Sequence, residues 1–248
     1  MKFLKPSFII LIILTLWQLL ITLSNVPPYI LPSPASVIQA TISHADSIGG
    51  HAIITLIEMT SGLIIGTVLG SSSALLLSYY RPARQWLMPI LVISQAIPVF
   101  AIAPILVLWL GYGMISKVAM AVLIIYFPVT AAFFDGLKNT NHGYLDLSHT
   151  MGASKSSTLI HIKIPAALPA FASGLRVATA MAPIGAIVGE WVGSSEGLGY
   201  LMLHANGRMQ IDVMFAALLI LGIMAIILFY TVDAGLRRLL FWSTEKII

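Results

Sequence analysis

Long apolar runs separated by short polar stretches constrain this chain more than any other feature. The first run covers residues 8–23, and similar runs recur through most of the sequence. A helix needs roughly 20 mostly apolar residues to cross a bilayer, at a rise of about 1.5 Å per residue. Charged residues make up only 9% of the chain, whereas soluble domains carry roughly 25%. The sequence therefore predicts a protein dissolved in lipid and excludes a water-soluble fold.

The apolar runs predict an all-α, polytopic membrane protein, with a single transmembrane domain over residues 1–248. Six spans are predicted, at about residues 8–23, 52–78, 86–110, 115–134, 168–192 and 213–236. A signal peptide is the alternative for the first span, which is interpreted as an anchor because no small-residue cleavage pattern follows it. The third contains Pro89, Pro98 and Pro104, which predicts kinks or a broken helix that lies in the protein interior or lines a cavity.

The basic residues between the spans predict the orientation of the chain. With the N-terminus inside, only Lys117 and Arg208 fall in outer segments. Ten basic residues fall in inner segments, namely Lys2, Lys5, Arg81, Arg84, Lys138, Lys155, Lys163, Arg237, Arg238 and Lys246. This asymmetry predicts that both termini are cytoplasmic. Arg176 lies near the cytoplasmic end of the fifth span, where its side chain is expected to reach the interface.

Several function classes lack their residues. The chain has no Cys, so it has no thiolate metal site or cysteine nucleophile. No phosphate-binding loop of the type Gly-x-x-x-x-Gly-Lys-Ser/Thr occurs, and no His-Glu-x-x-His cluster is present. A net charge of +4 gives no footprint for nucleic acid. We therefore predict no enzyme, no metal site, no nucleic-acid partner and no ATP bound by this chain.

A few residues within the spans stand out from their apolar surroundings. Gly62, Gly66 and Gly70 recur every four residues, which predicts a smooth helix face for packing against another helix. Glu58 is expected near the outer interface, either solvated or held by a structural partner. Glu190 lies late in an apolar span, where a carboxylate is costly and usually faces a partner, the interior or water. A structural hydrogen bond is the first interpretation of Glu190.

The longest inner loop, residues 139–167, carries the most informative text. It includes the segment Asp146-Leu147-Ser148-His149-Thr150-Met151-Gly152-Ala153-Ser154 and, after nine further residues from Gly152, Ile162-Lys163-Ile164-Pro165. This text resembles the EAA loop of ATP-binding-cassette importer permeases in the positions of its Gly and Pro. Leu147 and Ser148 stand where that family usually has two alanines. The resemblance implies a short coupling helix, a turn at Gly152, and contact with a cytoplasmic ATPase.

Other segments extend the resemblance to residues 31–242. The texts around Ile97-Pro98 and Gly189-Glu190-Trp191 resemble the permease branch for sulfonates, nitrate, taurine and thiamine precursors. The segment from Pro183 to Ser195 looks most like permeases for the pyrimidine precursor of thiamine, of the hydroxymethylpyrimidine type. A sulfonate, taurine, nitrate or riboflavin permease is the alternative. An ion-coupled secondary transporter and an intramembrane enzyme are the alternatives from other classes.

The resemblance implies a binding-protein-dependent importer in the bacterial inner membrane. Two copies of the chain would form a homodimer, with ATPase subunits inside and a solute-binding protein outside, and the partner ATPase would hydrolyse the ATP. Transport would proceed by alternating access. Aromatic side chains and Glu190 are the candidates for the translocation path, where a flat pyrimidine can stack. The candidate path residues are Phe100, Trp109, Tyr126, Glu190 and Trp191.

Overall fold

The computed structural model describes residues 4–242, and within that range the chain forms helices and no strand. The helices are α1 (Leu4–Ser24), α2 (Pro34–Ser43), α3 (Ala45–Tyr79), α4 (Arg81–Ala96), α5 (Val99–Leu110), α6 (Met114–Lys138), α7 (His142–Thr150), α8 (Lys155–Thr158), α9 (Ile164–Gly193), α10 (Leu198–Gly207) and α11 (Ile211–Leu239). A π-helical turn, Leu159–Lys163, joins α8 to α9. Lys2, Lys246 and both chain ends, which enter the predictions above, lie outside the described residues.

The predicted spans correspond to helices of unequal length. In the described part of the chain, α3, α6, α11 and the continuous helical stretch Lys155–Gly193 are long and apolar enough to cross a membrane. In α1 the apolar stretch Leu11–Ser24 is shorter. Two helices begin earlier than predicted, α3 at Ala45 rather than at residue 52 and α9 at Ile164 rather than at residue 168. The all-α membrane fold is confirmed.

The third predicted span is two helices, α4 and α5, which meet at a bend of 102°. Ile97 and Pro98 separate them in extended backbone conformations. The ring of a proline disfavours helical angles at the residue before it, so α4 ends before Ile97. Pro89 and Pro104 lie inside α4 and α5 without interrupting either helix. Of the three prolines, Pro98 is therefore the one at which the helix breaks.

The contacts divide the chain into two compact units. Residues 4–55 and Ser195–Ile223 form the first, in which the rings of Trp17 and Phe215 lie 5.9 Å apart. The Gly197 N–H donates to Nδ1 of His51 over 3.0 Å, and the Leu198 N–H donates to Oγ1 of Thr55 over 2.8 Å. Two backbone donors at the start of α10, which have no partner within their own helix, are thus satisfied by α3. That residues 1–248 form a single transmembrane domain stays a prediction.

In the second unit, Leu56–Ser194 and residues 224–242, α6 lies between α3 and α9. A Cβ atom at Gly62 would collide with Ala121 of α6, and one at Gly66 would come within 2.7 Å of Ile125. From α9, a Cβ at Gly185 would lie 2.6 Å from the Cα of Ala121. Glycine therefore lets both neighbouring helices approach the backbone of α6, as small residues do in membrane bundles.

A buried apolar cluster joins four helices of the second unit. The side chains of Leu77, Leu91, Phe133 and Leu137 are buried together with Ala167. They come from α3, α4, α6 and α9, and the last two helices flank residues 139–163. The cluster therefore fixes both ends of the segment that contains α7.

Gly185→Ala is expected to destabilise the protein. The added Cβ would meet main-chain atoms of Ala121, and no rotamer change can move a backbone. Overpacking of this kind costs about 1–3 kcal/mol. The expected result is a lower midpoint of thermal unfolding in detergent.

Gly235→Ala is the matched control. It also lies within a long helix, α11, but a Cβ there meets nothing within 4 Å. Alanine is favoured over glycine in helices by about 0.8–1 kcal/mol, so the midpoint should stay the same or rise. Equal midpoints for the two variants would contradict the close approach of α9 to α6.

Candidate functional site

The loop predicted to be functional, residues 139–167, begins with the short helix α7. The side chain of Asn141 accepts a hydrogen bond from the Gly143 N–H over 2.8 Å and caps the helix. On the side of α7 that packs against α8, Ser148 is buried, and its Oγ lies 3.3 Å from Oγ1 of Thr158. This contact anchors α7 to the helical stretch that leads into α9.

One exposed side of α7 presents apolar side chains. Tyr144, Leu147 and Met151 are 59%, 58% and 77% exposed. Their spacing of three and four residues places them on one helix face. Asp146, His149 and Thr150 are also exposed, at other positions around the helix. An exposed apolar face outside the long apolar helices is typical of a surface that contacts another protein.

The turn after α7 is a Schellman motif. The Ala153 N–H donates to the Ser148 carbonyl over 2.9 Å, and the Gly152 N–H donates to the His149 carbonyl over 3.0 Å. Gly152 has φ of +72°, a left-handed conformation that glycine adopts without strain. The side chain of Ser154 then accepts from the Ser157 N–H and caps α8. The glycine identified in the sequence thus lies where the chain reverses.

Ile162 and Pro165 lie where α8 continues into α9. Both are half-buried, Ile162 in the π-helical turn and Pro165 at the second position of α9. A proline ring clashes with the carbonyl four residues earlier, here that of His161, which accounts for a wider helical turn just before it. Single π-helical turns of this kind are frequent at functional sites.

A second feature is a cavity of about 630 Å³ between α3, α4, α5, α6 and α9. Phe100 and Tyr126 line it, together with Ser73, whose Oγ accepts a hydrogen bond from the Tyr126 hydroxyl over 2.7 Å. The remaining lining residues are mostly aliphatic. Among the lining residues, none carries a charge.

The five candidate path residues separate into three groups. Phe100 and Tyr126 line the cavity, and the ring of Trp191 lies 6.5 Å from that of Phe100. Trp109 is 75% exposed on α5 and is not among the lining residues. Glu190 is buried in the bundle and is not among the lining residues either. The structure thus brings three of the five together.

Charged residues from three helices meet in the bundle interior. The Nζ atom of Lys117 lies 2.6 Å from Oε1 of Glu58, and both side chains are almost completely buried. Glu190 of α9 interacts with the carboxyl group of Glu58. The expectation that interfacial water solvates Glu58 is wrong, and the structural partner is Lys117. Burial forces this pairing, because an isolated charge inside protein is strongly unfavourable.

A second charged group joins α9 to the C-terminal part of α11. Asp233 pairs with two arginines. Its Oδ1 atom lies 2.7 Å from Nε of Arg176, and its Oδ2 atom lies 2.7 Å from Nε of Arg237. The Arg176 side chain is only 11% exposed. Asp233 therefore holds this side chain against the neighbouring helix, and its extension to the interface stays a prediction.

The family model for the binding-protein-dependent transport system inner membrane component matches residues 62–240. The chain belongs to this family. It is the permease subunit of an ATP-binding-cassette importer and a multi-pass protein of the bacterial inner membrane. It is not an enzyme, and the alternatives of a secondary transporter and an intramembrane enzyme are wrong.

Two relatives align with the permease over nearly all of its length. A probable ABC transporter permease protein from Haemophilus influenzae is 57% identical, over 98% of both chains. The formylaminopyrimidine transport permease protein ThiX from Halalkalibacterium halodurans is 39% identical, over 98% of this chain and 97% of the relative. The resemblance to the permease branch for sulfonates, nitrate, taurine and thiamine precursors is thus confirmed.

The fold of the permease also matches a solved transporter. The inward-facing MetNI methionine ABC transporter superimposes with a TM-score of 0.63 at 20% identity, over 75% of this chain and 92% of that chain. At this identity the likeness concerns the fold alone.

Sequence reasoning missed the partners of the buried charges in the permease. The charge pattern places Lys117 at the outer end of the fourth span, and nothing in it singles out Asp233. A signal existed for Asp233, because Arg237 follows it by four residues, the spacing of an ion pair along a helix. No local signal joins Glu58 to Lys117, because they lie on different helices.

Lys117→Met is expected to destabilise the permease by about 3–5 kcal/mol, because it leaves the buried Glu58 without its counter-charge. The double variant Glu58→Gln with Lys117→Met should recover much of that loss, since the unpaired carboxylate is then gone. The measurement is the free energy of unfolding in mixed detergent micelles.

Lys138→Met provides the control on the same helix. Lys138 is exposed at the end of α6, and surface substitutions change stability by about 0.5 kcal/mol or less. A double variant as unstable as Lys117→Met alone would argue against the buried pair.

Proposed function

We propose that the permease carries a pyrimidine precursor of thiamine across the inner membrane by alternating access, driven by a separate ATPase. Two copies of the chain would form the pathway, and an external solute-binding protein would deliver the substrate. The permease itself would bind no ATP, and both termini would face the cytoplasm. The observation that carries the transport role is α7, a short helix with an exposed apolar face and a rigid glycine turn.

The geometry of α7 supports its role as the coupling helix. Tyr144, Leu147 and Met151 form a surface that an ATPase groove can bury. The Schellman turn and the contact between Ser148 and Thr158 connect this surface to the stretch that continues into α9. Closure of two ATPase subunits would thus displace the ends of membrane helices. Asp146 to Ser154, with Ile162 and Pro165, are the proposed coupling residues.

The chemistry of the membrane cavity supports the choice of substrate class. A pyrimidine is flat and aromatic, and it carries ring nitrogens that accept hydrogen bonds. Phe100 offers a ring face for stacking, while Tyr126 and Ser73 offer hydroxyl groups. Sulfonate, taurine and nitrate carry an anionic group that is costly to bury without a cation. Because none of the described lining residues of the cavity is charged, the cavity favours the pyrimidine over these three anions.

The relative from Halalkalibacterium halodurans gives independent support. Its name states transport of formylaminopyrimidine, and it aligns with this chain from end to end. We propose the same substrate class here, with Phe100, Tyr126 and Trp191 along the path. Trp109 and Glu190 would act outside it, Glu190 as part of the buried charged group.

Leu147→Arg should abolish copurification of the ATPase and ATP-driven uptake, because a charged side chain would replace the centre of the apolar face of α7. The permease should still accumulate in the membrane at the normal level, since Leu147 is exposed. Copurification in mild detergent measures the outcome.

His142→Arg is the control on the same helix. His142 is exposed, but it lies away from the face formed by Tyr144, Leu147 and Met151. This variant should keep the ATPase. If Leu147→Arg retains the ATPase as well as His142→Arg does, α7 is not the coupling helix.

Uptake of labelled formylaminopyrimidine tests the substrate. Unlabelled hydroxymethylpyrimidine should compete, whereas taurine, nitrate and riboflavin should not. Phe100→Ala should slow uptake roughly two- to tenfold, because an aromatic stack contributes about 0.5–1.5 kcal/mol. The cells must also carry the neighbouring transporter components.

Trp109→Ala removes a larger ring outside the cavity and should leave uptake nearly unchanged. If no pyrimidine enters while riboflavin or taurine does, the substrate assignment is refuted and the importer class is retained. Equal losses for both aromatic variants would refute the proposed path.

A further inference from the structure

We propose that a basic cavity behind α7 binds the phosphate headgroup of an anionic phospholipid. The cavity measures about 620 Å³ and lies between the end of α3, the start of α4, α7 and the stretch that leads into α9. It is separate from the membrane cavity described above, and it shares no lining residue with it. The proposal rests on the proposed function only for the side of the membrane, the cytoplasmic one.

The lining of this cavity is positively charged. Lys155, Lys163 and His149 line it together with the hydroxyl-bearing Ser78, Tyr79 and Tyr80. None of its lining residues is acidic. Within the described part of the chain, neither lysine has a carboxylate oxygen within 4.0 Å, since the ion pairs there join other residues. These are the donors that a phosphate diester requires.

The position of the cavity favours a lipid over a soluble ion. Tyr79 ends the long apolar helix α3, and Tyr80 follows it. These two side chains are 39% and 54% exposed, and Trp86 of α4 is 76% exposed. Tyrosine and tryptophan concentrate at the headgroup level of a bilayer. Basic pockets between membrane helices on the cytoplasmic side are typical sites for anionic headgroups. The cavity is also far larger than the roughly 30 Å³ that a single water molecule occupies, so it has room for a headgroup with its glycerol.

The cavity does not compete with the proposed ATPase surface. His149 and Leu145 point into it from one side of α7, whereas Tyr144, Leu147 and Met151 are exposed on another side. The neighbouring Asp146 is exposed and does not line it. A lipid headgroup would therefore lie behind the coupling helix and support it from the membrane side.

The test is phosphatidylglycerol binding to the purified full-length permease, measured by native mass spectrometry. Lys155→Gln with Lys163→Gln should weaken binding roughly 30-fold, about 2 kcal/mol, since each lysine near an anionic surface contributes about 1 kcal/mol. The control is Arg84→Gln with Lys138→Gln, which removes the same charge from exposed residues outside the cavity. Lys155→Arg with Lys163→Arg should bind as the unmodified chain does.

The remaining arms distinguish the sources of phosphate. Phosphatidylcholine, whose headgroup is neutral overall, should bind weakly, and inorganic phosphate should not displace phosphatidylglycerol. Displacement by inorganic phosphate would overturn the lipid assignment in favour of a soluble ion. Equal losses in the two glutamine double variants would overturn the site itself. Because binding is measured without uptake or ATP hydrolysis, failure of the proposed transport function would leave this result interpretable.

Discussion

Direct contact between helix backbones around α6 is the constraint on which the rest of the second unit depends. Lipid is as apolar as a leucine side chain, so burial of apolar surface does not drive helices together inside a membrane. Close packing must do so, and it requires small residues at the contact. Ala121 meets Gly62 from α3 and Gly185 from α9. Three helices are thereby held at distances that any larger side chain would prevent.

This packing also explains how the permease tolerates buried charges. Gly189 brings α9 so close that a Cβ there would lie 2.9 Å from the Cα of Lys117. The lysine side chain is thus enclosed, and its ammonium group meets Glu58. Such a pair adds little net stability once the cost of desolvation is counted, but removal of one partner is severe. The charges therefore fix which helices are neighbours, while the glycine contacts provide the attraction.

The features that were predictable from the sequence are those with a local cause. The length of the apolar runs predicted the membrane helices. The prolines of the third span predicted a break, which lies at Pro98 between α4 and α5, and Gly152 predicted the turn after α7. The early start of α3 at Ala45 was not predictable from hydropathy, because Asp46, Ser47 and His51 interrupt the apolar residues in its first two turns. The pairing of Glu58 with Lys117 was not predictable either, since it depends on how separate helices dock.

The distribution of close contacts also bears on where the permease can change shape. Around α6, glycines of α3 and α9 bring the neighbouring helices so close that an added Cβ would collide with atoms of α6. Neither α4 nor α5 contains a glycine, so both pack through side chains, which can exchange rotamers. These two helices meet at the bend near Pro98 and form one wall of the membrane cavity. In the proposed transport cycle, α4 and α5 would be the helices that move against the group of α3, α6 and α9.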